Sequence, residues 1–424
     1  MIGAWIRRVG YWTLDFIKGG PVRKRYKLLS NIREDRVKSS ALHELLQHAI
    51  STVPAYSKIE APQIEKFPVV DKSVYRQDYE SYRSNLFMDE SFLHAAYTSG
   101  STGTPFKALQ NAEKLKWHQA GLIGINNSIG WRLGDRFMFM RVWDVAHNAS
   151  RLSQFMSNTI PVDVVGFDDN KCESVRQRIL SDKSLKMIIG YASALEKLSS
   201  FMLTKKERPE DYGIKLIIAD SENLSSEARK SIEKAFGCPV YNRYGNNENG
   251  IIALAGPDSD IFHVNFPEYY VEVLKVDSNE PVKEGEMGRI VITDLYNYAF
   301  PFIRYDTGDL GIAGEINANG CIIISKLLGR VSASLFDTKG GLITETSLTA
   351  HFEDIPNIGR YQVIQTSKLH YEVCIESTRP ELDELILERM KKCMGDDAIV
   401  SLKHVQSVSQ GKNGKIPVTI NKIK

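Results

Sequence analysis

The sequence predicts an α/β protein. A large N-terminal α/β domain, residues 1–329, would hold a parallel sheet plus a β-rich part, and a small mobile C-terminal α+β domain would cover 330–424. Three observations lead there. Between residues 185 and 245, short apolar runs alternate with amphipathic helical stretches, the pattern of strands buried on both faces of a parallel sheet. After about residue 260 the pattern changes to strands separated by turn signals. A chain of 424 residues is also too long for one ordinary core.

The elements follow in order. The opening "MIGAWIRRVGYWTLDFIKGG" sets Arg7 and Arg8 among Trp5, Ile6, Val9, Tyr11, Trp12, Leu14, Phe16 and Ile17. The arginines interrupt any signal-peptide apolar core. The segment is expected to be a helix packed on its own domain; the alternative is an interfacial amphipathic helix. In "ALHELLQHAI", Leu42, Leu45, Leu46, Ala49 and Ile50 share one helical face, and Pro54 ends that helix. "FPVVDK" and the Tyr-rich stretch 75–82 show no clear periodicity. "FLHAAY" leads into a glycine loop, and "EKLKWHQAGLIGINNSIGW" reads as a helix interrupted by glycines.

"LKMIIGY", "IKLIIAD" and "PVYNRYG" read as buried strands. Between them lie the helices "ASALEKLSSFML" and "SSEARKSIEKAF", the second stopped by Gly237 and Pro239. Ligands on such sheets bind past the carboxyl ends of strands, and "YGNNENG" lies past one. "YYVEVLKV", "GRIVITDL" and "CIIIS" continue as strands. In the last hundred residues, "YQVIQ" and "LHYEVCIES" form a hairpin, "PELDELILERMKKCMG" a helix and "AIVSLKHV" a final strand.

Apolar residues at 42% and charged residues at 25% describe a soluble globular protein. A formal net charge of +2 argues against a dominant nucleic-acid role. The five cysteines, Cys172, Cys238, Cys321, Cys374 and Cys393, form no C-x-x-C pair. A disulfide scaffold or zinc knuckle is therefore not expected, and a reducing cytoplasm fits. No apolar run approaches the roughly 18 residues of a transmembrane helix, so no stable membrane insertion is expected.

The loop "YTSGSTGTPFK" combines Gly100 and Gly103 with the hydroxyls of Thr98, Ser99, Ser101, Thr102 and Thr104. Such a loop can cradle phosphate oxygens with backbone N–H groups and hydroxyls; a plain solvated turn is the alternative. It lacks the Lys of the G-x-x-x-x-G-K-[ST] phosphate loop. Four segments accompany it in order: "YGNNE", "FIRYDTGDL", "LGR" and "GKNGK". Together the five resemble the adenylate-forming superfamily of acyl-CoA synthetases and amino-acid-activating domains, from about residue 40 onward. "LLQHAISTVPAYSK", "FPVVDK" and "GEMGRIVITDL" before "FPFIRYDTGD" are similar to one branch, the phenylacetate–CoA ligase-like proteins and their capsule-biosynthesis (CapK-type) relatives.

The resemblance implies that ATP and Mg²⁺ convert an acid into an acyl-adenylate. Thr98, Ser99, Gly100, Ser101, Thr102 and Gly103 would hold the departing phosphates. Glu248 matches the family's acidic position and suits Mg²⁺. Tyr244 would lie beside adenine or acyl group, Gly245 would share in the ATP site within the same motif, and Asn247, standing where the family usually has Thr, would offer its amide to a phosphate or acyl oxygen. Asp309 matches the aspartate that accepts from the ribose hydroxyls, with Asp306 as competitor. Arg304 would meet a phosphate or pair with an acid to hold the turn. Arg330 matches the arginine at the interdomain hinge, although Ala333 replaces the usual Asp of that motif. "TKGG" (338–341) is similar to the family's loop for the second half-reaction. Lys415, with Lys412 as competitor, matches the lysine near the C-terminus that reaches the α-phosphate.

His43, His48, His118 and His351 show no pattern for metal or nucleophile work; His147 either lines an acyl pocket with Trp143 or simply packs. The acid is undetermined. The acyl acceptor is an amino sugar or carrier in surface-polysaccharide assembly, or coenzyme A. A non-catalytic nucleotide-binding protein is the rival of another class.

Overall fold

The computed structural model describes residues 2–31, 34–97, 106–143, 151–316, 322–352, 355, 358–377, 379–409 and 416–423. The first helices in chain order are α1 (Ile2–Ile17), α2 (Pro21–Asn31), α3 (Glu34–Thr52), α4 (Lys72–Gln77) and α5 (Ala112–Ser128). A hairpin of β1 (His94–Tyr97) and β2 (Lys107–Gln110) flanks the glycine loop, with Tyr97 paired to Lys107.

The next strands in chain order are β3 (Arg136–Arg141), β4 (Thr159–Asp163), β5 (Leu185–Tyr191), β6 (Leu216–Asp220) and β7 (Val240–Asn246). They are followed by β8 (Gly250–Ala255), β9 (Phe262–Val264), β10 (Tyr269–Leu274), β11 (Met287–Asp294), β12 (Tyr305–Ile316) and β13 (Ile322–Arg330). Among the described residues these eleven strands form one sheet, ordered β10-β11-β12-β13-β9-β8-β7-β6-β5-β3-β4. The strands from β4 to β7 pair parallel, and every pairing from β7 to β10 is antiparallel. The parallel sheet and the β-rich part are thus one continuous sheet. The hairpin from β7 to β8 is where its sense changes.

Local chemistry accounts for the elements. The apolar runs of β5 and β6 are buried on both faces, between helices Ala192–Leu203 and Ser226–Phe236 and the small cluster around Trp131. Ser225 caps the second of these helices, and Gly237 ends it at φ +62°. The Tyr-rich stretch lacks periodicity because its rings serve one aromatic core. Tyr75 meets Tyr82, Phe300, Phe302 and Tyr305 at ring-centroid distances of 4.8–5.8 Å. That core ties α4 to the start of β12.

The expected glycine interruption near residue 121 is not seen; α5 is a continuous 17-residue helix. Gly121 is there for room, since a Cβ would overlap the Glu268 carboxylate. Packing, not helix termination, explains it.

Past β13, a turn at Val331–Ala333 leads to a second core. A small ribbon, β14 (Leu335–Phe336) and β15 (Leu342–Ile343), precedes four strands. These are β16 (Tyr361–Gln365), β17 (His370–Ile375), β18 (Ile399–His404) and β19 (Thr419–Asn421), ordered β18-β17-β16-β19. Helix Asp383–Met394 covers this sheet with Ile386, Met390 and Met394. Among the described residues no helix is long and apolar enough to cross a membrane.

Candidate active site

The site is built around the β7–β8 turn. Gly245 sits in β7 so close to the Gly250 carbonyl that a Cβ would overlap it. Gly250, at φ +105°, is backed by the His118 ring. These two glycines let the hairpin close tightly and present Asn247, Glu248 and Asn249 at its tip. Asn246 Oδ1 accepts the Asn249 N–H at 2.9 Å and stiffens the turn.

Glu248 is buried, with only 2% of its surface exposed. Its Oε1 accepts the Tyr305 hydroxyl at 2.8 Å and pairs with Lys72 Nζ at 2.7 Å. Gln110 of β2 donates to the Glu248 carbonyl at 2.9 Å. Burial first, and the Glu248 charge second, push the Tyr305 pKa well above the ordinary phenol value, so Tyr305 stays a donor.

Lys72 is a cation that the sequence reading did not single out. Asp71 caps α4 by accepting from the Ser73 and Val74 N–H groups, which puts Lys72 at the first turn. The segment is pinned to β12: Val70 N–H donates to Arg304 O at 3.1 Å, and Asp306 N–H donates to Val70 O at 2.9 Å. The segment "FPVVDK" carries part of the likeness to the branch but assigns Lys72 no role; only the fold brings it to Glu248.

Asp309 lies across from Arg330, its register partner on β13. Tyr244 donates its hydroxyl to Asp309 Oδ2 at 2.8 Å, and Arg330 Nε lies 3.4 Å from Oδ1. Burial, then the Asp309 charge, raise the Tyr244 pKa well above its usual value. The Asp309 charge also holds the Arg330 pKa above the ordinary guanidinium value. Gly308, at φ +74°, provides the turn that places Asp309 there. Asp306, the competitor, is engaged elsewhere. Its carboxylate pairs with Arg289 and accepts the Gly308 N–H.

Arg304 does not face this cluster. Its guanidinium makes a two-point pair with Glu272, at 2.8 and 3.1 Å, and donates to Phe67 O at 3.2 Å. It is buried at φ +45°. The phosphate-contact reading therefore gives way to the turn-holding one: a buried guanidinium already paired with the half-buried Glu272 cannot reach a ligand without breaking that pair. Arg304 acts instead by positioning the segment that carries Lys72.

Asn247 was expected to offer its amide to a ligand. Its Nδ2 donates to Tyr97 O at 3.2 Å, which moors the last described residue before the glycine loop to the Glu248 turn. Thr98, Ser99, Gly100, Ser101, Thr102 and Gly103 lie outside the described residues, as do Lys412, Lys415 and His147. The anchors of the glycine loop are described, and they sit against Asn247 and Gln110 beside Glu248.

A buried charge cluster lies beneath the turn. Lys114 of α5 pairs with Asp294 at 2.8 Å and Glu268 at 3.4 Å, and donates to the Tyr269 hydroxyl at 2.9 Å. All four side chains are fully buried. Tyr269 in turn donates to the Asn249 carbonyl. Burial alone would raise the Glu268 carboxyl; Lys114, with His118 behind it, outweighs that and holds it at about 2. Asp294 is raised, because burial is only partly offset by the shared lysine. His118, given no role from sequence, stands 3.8 Å from Glu268.

The "TKGG" loop is held by Asp337, which accepts from the Lys339 and Gly341 N–H groups, with Gly340 at φ +91°. Ala333, at the place of the family's hinge aspartate, closes the turn after Arg330, where Ser334 N–H donates back to Arg330 O at 3.1 Å.

The family model described as AMP-binding enzyme matches residues 34–296, more than half of the chain. The chain belongs to the AMP-binding enzyme family. A second model, the CapK C-terminal domain, matches residues 335–422. Protein CapK of Staphylococcus aureus is 21% identical over 250 residues, 55% of this chain and 52% of that protein. The chain thus matches about half the length of that relative. Phenylacetate-coenzyme A ligase of Pseudomonas putida is 23% identical over 307 residues, covering 67% of this chain and 68% of the ligase. Both relatives fall in the one branch that the motifs resemble. Among solved structures, 2-hydroxyisobutyryl-CoA ligase in the postadenylation state with R3-HIB-AMP superimposes at TM-score 0.71, with 18% identity, over 92% of this chain and 90% of that one. The same ligase in the thioesterification state gives TM-score 0.56 at 19% identity over the same shares. The AMP-binding fold, with its sheet and separate C-terminal domain, is therefore the fold of this chain.

Proposed function

We propose that this chain is an ATP-dependent, AMP-forming ligase that activates a small carboxylic acid. The observation that carries the reading is the gathering of Glu248, Lys72, Tyr244, Asp309 and Arg330 around the β7–β8 turn, beside the anchors of the glycine loop. In the proposed reaction an acid carboxylate oxygen attacks the α-phosphorus, the bond to the β-phosphate breaks and pyrophosphate leaves. An acceptor then attacks the acyl carbon and AMP leaves. No reacting group needs to come from the protein, so positioning and charge stabilisation are its work.

Asp309 would accept the two ribose hydroxyls, since an ionised carboxylate offers two acceptor oxygens to a vicinal diol. Arg330 and Lys415 would stabilise the charge developing at the α-phosphate. Thr98 to Gly103 would receive pyrophosphate. Glu248 fits the role of Mg²⁺ ligand: it is one hard carboxylate, and phosphate oxygens and waters complete such sites. Its Oε1 is held by Tyr305 and Lys72, which fixes the carboxylate plane. Bound Mg²⁺ would neutralise phosphate charge.

For the acceptor, we favour an amine or carrier in surface-polysaccharide assembly. The match of residues 335–422 to the CapK C-terminal domain supports it, because the "TKGG" loop that would wall the acceptor route belongs to that domain. Coenzyme A is the second reading, favoured by the phenylacetate-coenzyme A ligase relatives. Acid-dependent pyrophosphate exchange over a panel of acids tests the activity. Absence of exchange, with no thermal protection by ATP, would overturn it. Supplying each acceptor class and following AMP release then separates the acceptors; rapid acyl-CoA formation alone would reverse their order.

Asp309→Ala is expected to weaken ATP binding about tenfold to a hundredfold, the loss of two hydrogen bonds to a charged acceptor, measured by titration calorimetry. Unchanged affinity would remove Asp309 from the ribose role. The C-terminal domain is also proposed to reorient about residues 329–334 between the half-reactions, supported by the higher TM-score with the postadenylation state than with the thioesterification state. Crystals with ATP and with an acyl-adenylate mimic should show different domain angles; one shared angle would count against it.

A further inference from the structure

Helix α1 has its apolar face turned outward. Its inner face is fixed to the domain. Arg8 donates to Leu133 O at 3.0 Å and pairs with Asp135, and Tyr11 and Trp12 pack with Val22, Tyr26 and Ile123. Asp15 is buried and caps α2 by accepting from the Val22 and Arg23 N–H groups at 2.9 and 3.0 Å. The outer face is different. Trp5, Ile6, Val9, Leu14, Phe16 and Ile17 are all exposed, Phe16 at 73% and Ile17 at 72%. At 100° per residue these six fall within half a turn of one another, together with Gly10 and Thr13, and no charged residue interrupts them. Arg7 extends the patch, since its guanidinium stacks at 4.9 Å over Phe155, itself exposed beside Met156. The expectation of a helix packed on its own domain is thus half met, because only one face packs.

The charge around this face is one-sided. Residues 2–31 hold seven cations, Arg7, Arg8, Lys18, Arg23, Lys24, Arg25 and Lys27, against one carboxylate, Asp15. That is +6 in a chain whose total is +2. Arg8 and Arg25 pair with Asp135 and Glu113. Lys18, Arg23, Lys24 and Lys27 are exposed, and no carboxylate among the described residues forms an ion pair with them.

We propose that α1 lies flat on an anionic lipid bilayer, its outer face sunk among the acyl-chain ends and Lys18, Arg23, Lys24 and Lys27 against the headgroups. An apolar face carrying Trp and Phe is the interfacial type, and lysines beside it select anionic lipid. At 16 residues with two arginines, α1 cannot span the bilayer. Charge also decides against a second copy of the chain as the occupant. Two such faces pressed together would bring +6 against +6.

The test uses the full chain in vesicle co-sedimentation. With about 30% phosphatidylglycerol in phosphatidylcholine, binding should exceed that to pure phosphatidylcholine by about tenfold or more. It should fall about tenfold between roughly 50 and 500 mM salt. The double variant Phe16→Glu and Ile17→Glu should lower binding about tenfold without moving the unfolding midpoint, since both side chains are in solvent. Should that variant fold poorly, Lys24→Gln with Lys27→Gln provides the second reading and should cut anionic binding by about tenfold or more. Equal binding to both vesicle types would overturn the proposal. So would no binding to either, or a concentration-dependent dimer that the Phe16 variant abolishes.

Discussion

Lys72→Met is expected to lower acid-dependent pyrophosphate exchange by on the order of 10²–10³-fold, the usual consequence of removing one preorganised charge from a reacting centre. Its ammonium is 2.7 Å from the carboxylate proposed to hold Mg²⁺, on a helix start fixed by Asp71 and by the pairing of Val70 with β12. A flexible lysine stem can move from Glu248 to an arriving phosphate without rearrangement of the backbone. Lys415→Ala is expected to give a loss of similar size for another reason, by removing a cation carried on the C-terminal domain. The two variants separate in other measurements. Lys72→Met leaves the buried Glu248 with Tyr305 as its described partner, so it should also weaken Mg·ATP binding and lower the unfolding midpoint. Lys415→Ala should leave both close to native. Lys72→Arg should restore part of the exchange. Normal exchange by Lys72→Met would confine that lysine to a structural pairing with Glu248.

Lys114→Met is expected to destabilise the N-terminal domain by about 3–5 kcal/mol, the range for removing one member of a buried ionic cluster. Glu268 and Asp294 would then share a fully buried space with no cation between them. The denaturation midpoint reads the loss. A variant within about 1 kcal/mol of native would show that the cluster is dispensable to folding. The site should respond too, because Tyr269 connects Lys114 to the Asn249 carbonyl behind Glu248.

The cluster also predicts an acid limb. Glu268 is held at about 2, below the ordinary glutamate value of 4.5, so its contribution is fully present above pH 4.5 and lost as pH falls toward 2. Glu268→Gln should remove that part of the pH dependence. Asp294 works with the opposite sign: its raised carboxyl favours the protonated form, so acid relieves rather than removes its contribution.

Much of the fold was legible in the chain because its signals are local. Apolar runs of five to seven residues are too short for helices and read as buried strands between helical stretches, and β5 and β6 lie where "LKMIIGY" and "IKLIIAD" put them. The helix stopped by Gly237 is read from the same kind of evidence. Asp309 and Glu248 could be picked out because their motifs are short and ordered. What stayed hidden depends on residues far apart in sequence. Lys72 and Glu248 are separated by 176 positions, and no local pattern encodes their contact. Lys114, Glu268 and Asp294 each look like ordinary surface charges until the sheet closes over them.

The sequence by itself determined the alternation of elements, the separate C-terminal unit and the motif order, since each rests on side-chain periodicity or on residue types needed at one place. Only the tertiary structure decided how those pieces act. It turned Arg304 from a ligand candidate into a brace for the Lys72 segment, because a buried guanidinium must stay with Glu272. It made Gly121 a site of close approach rather than a helix break, because the Glu268 carboxylate fills the space a Cβ would need. It also turned the apolar face of α1 outward, because Arg8 and Asp15 find their partners on the inner side. The physical reason is the same in each case. Propensity and pattern act over a few residues, whereas desolvated charges and close contacts are set by which distant segments the fold brings together.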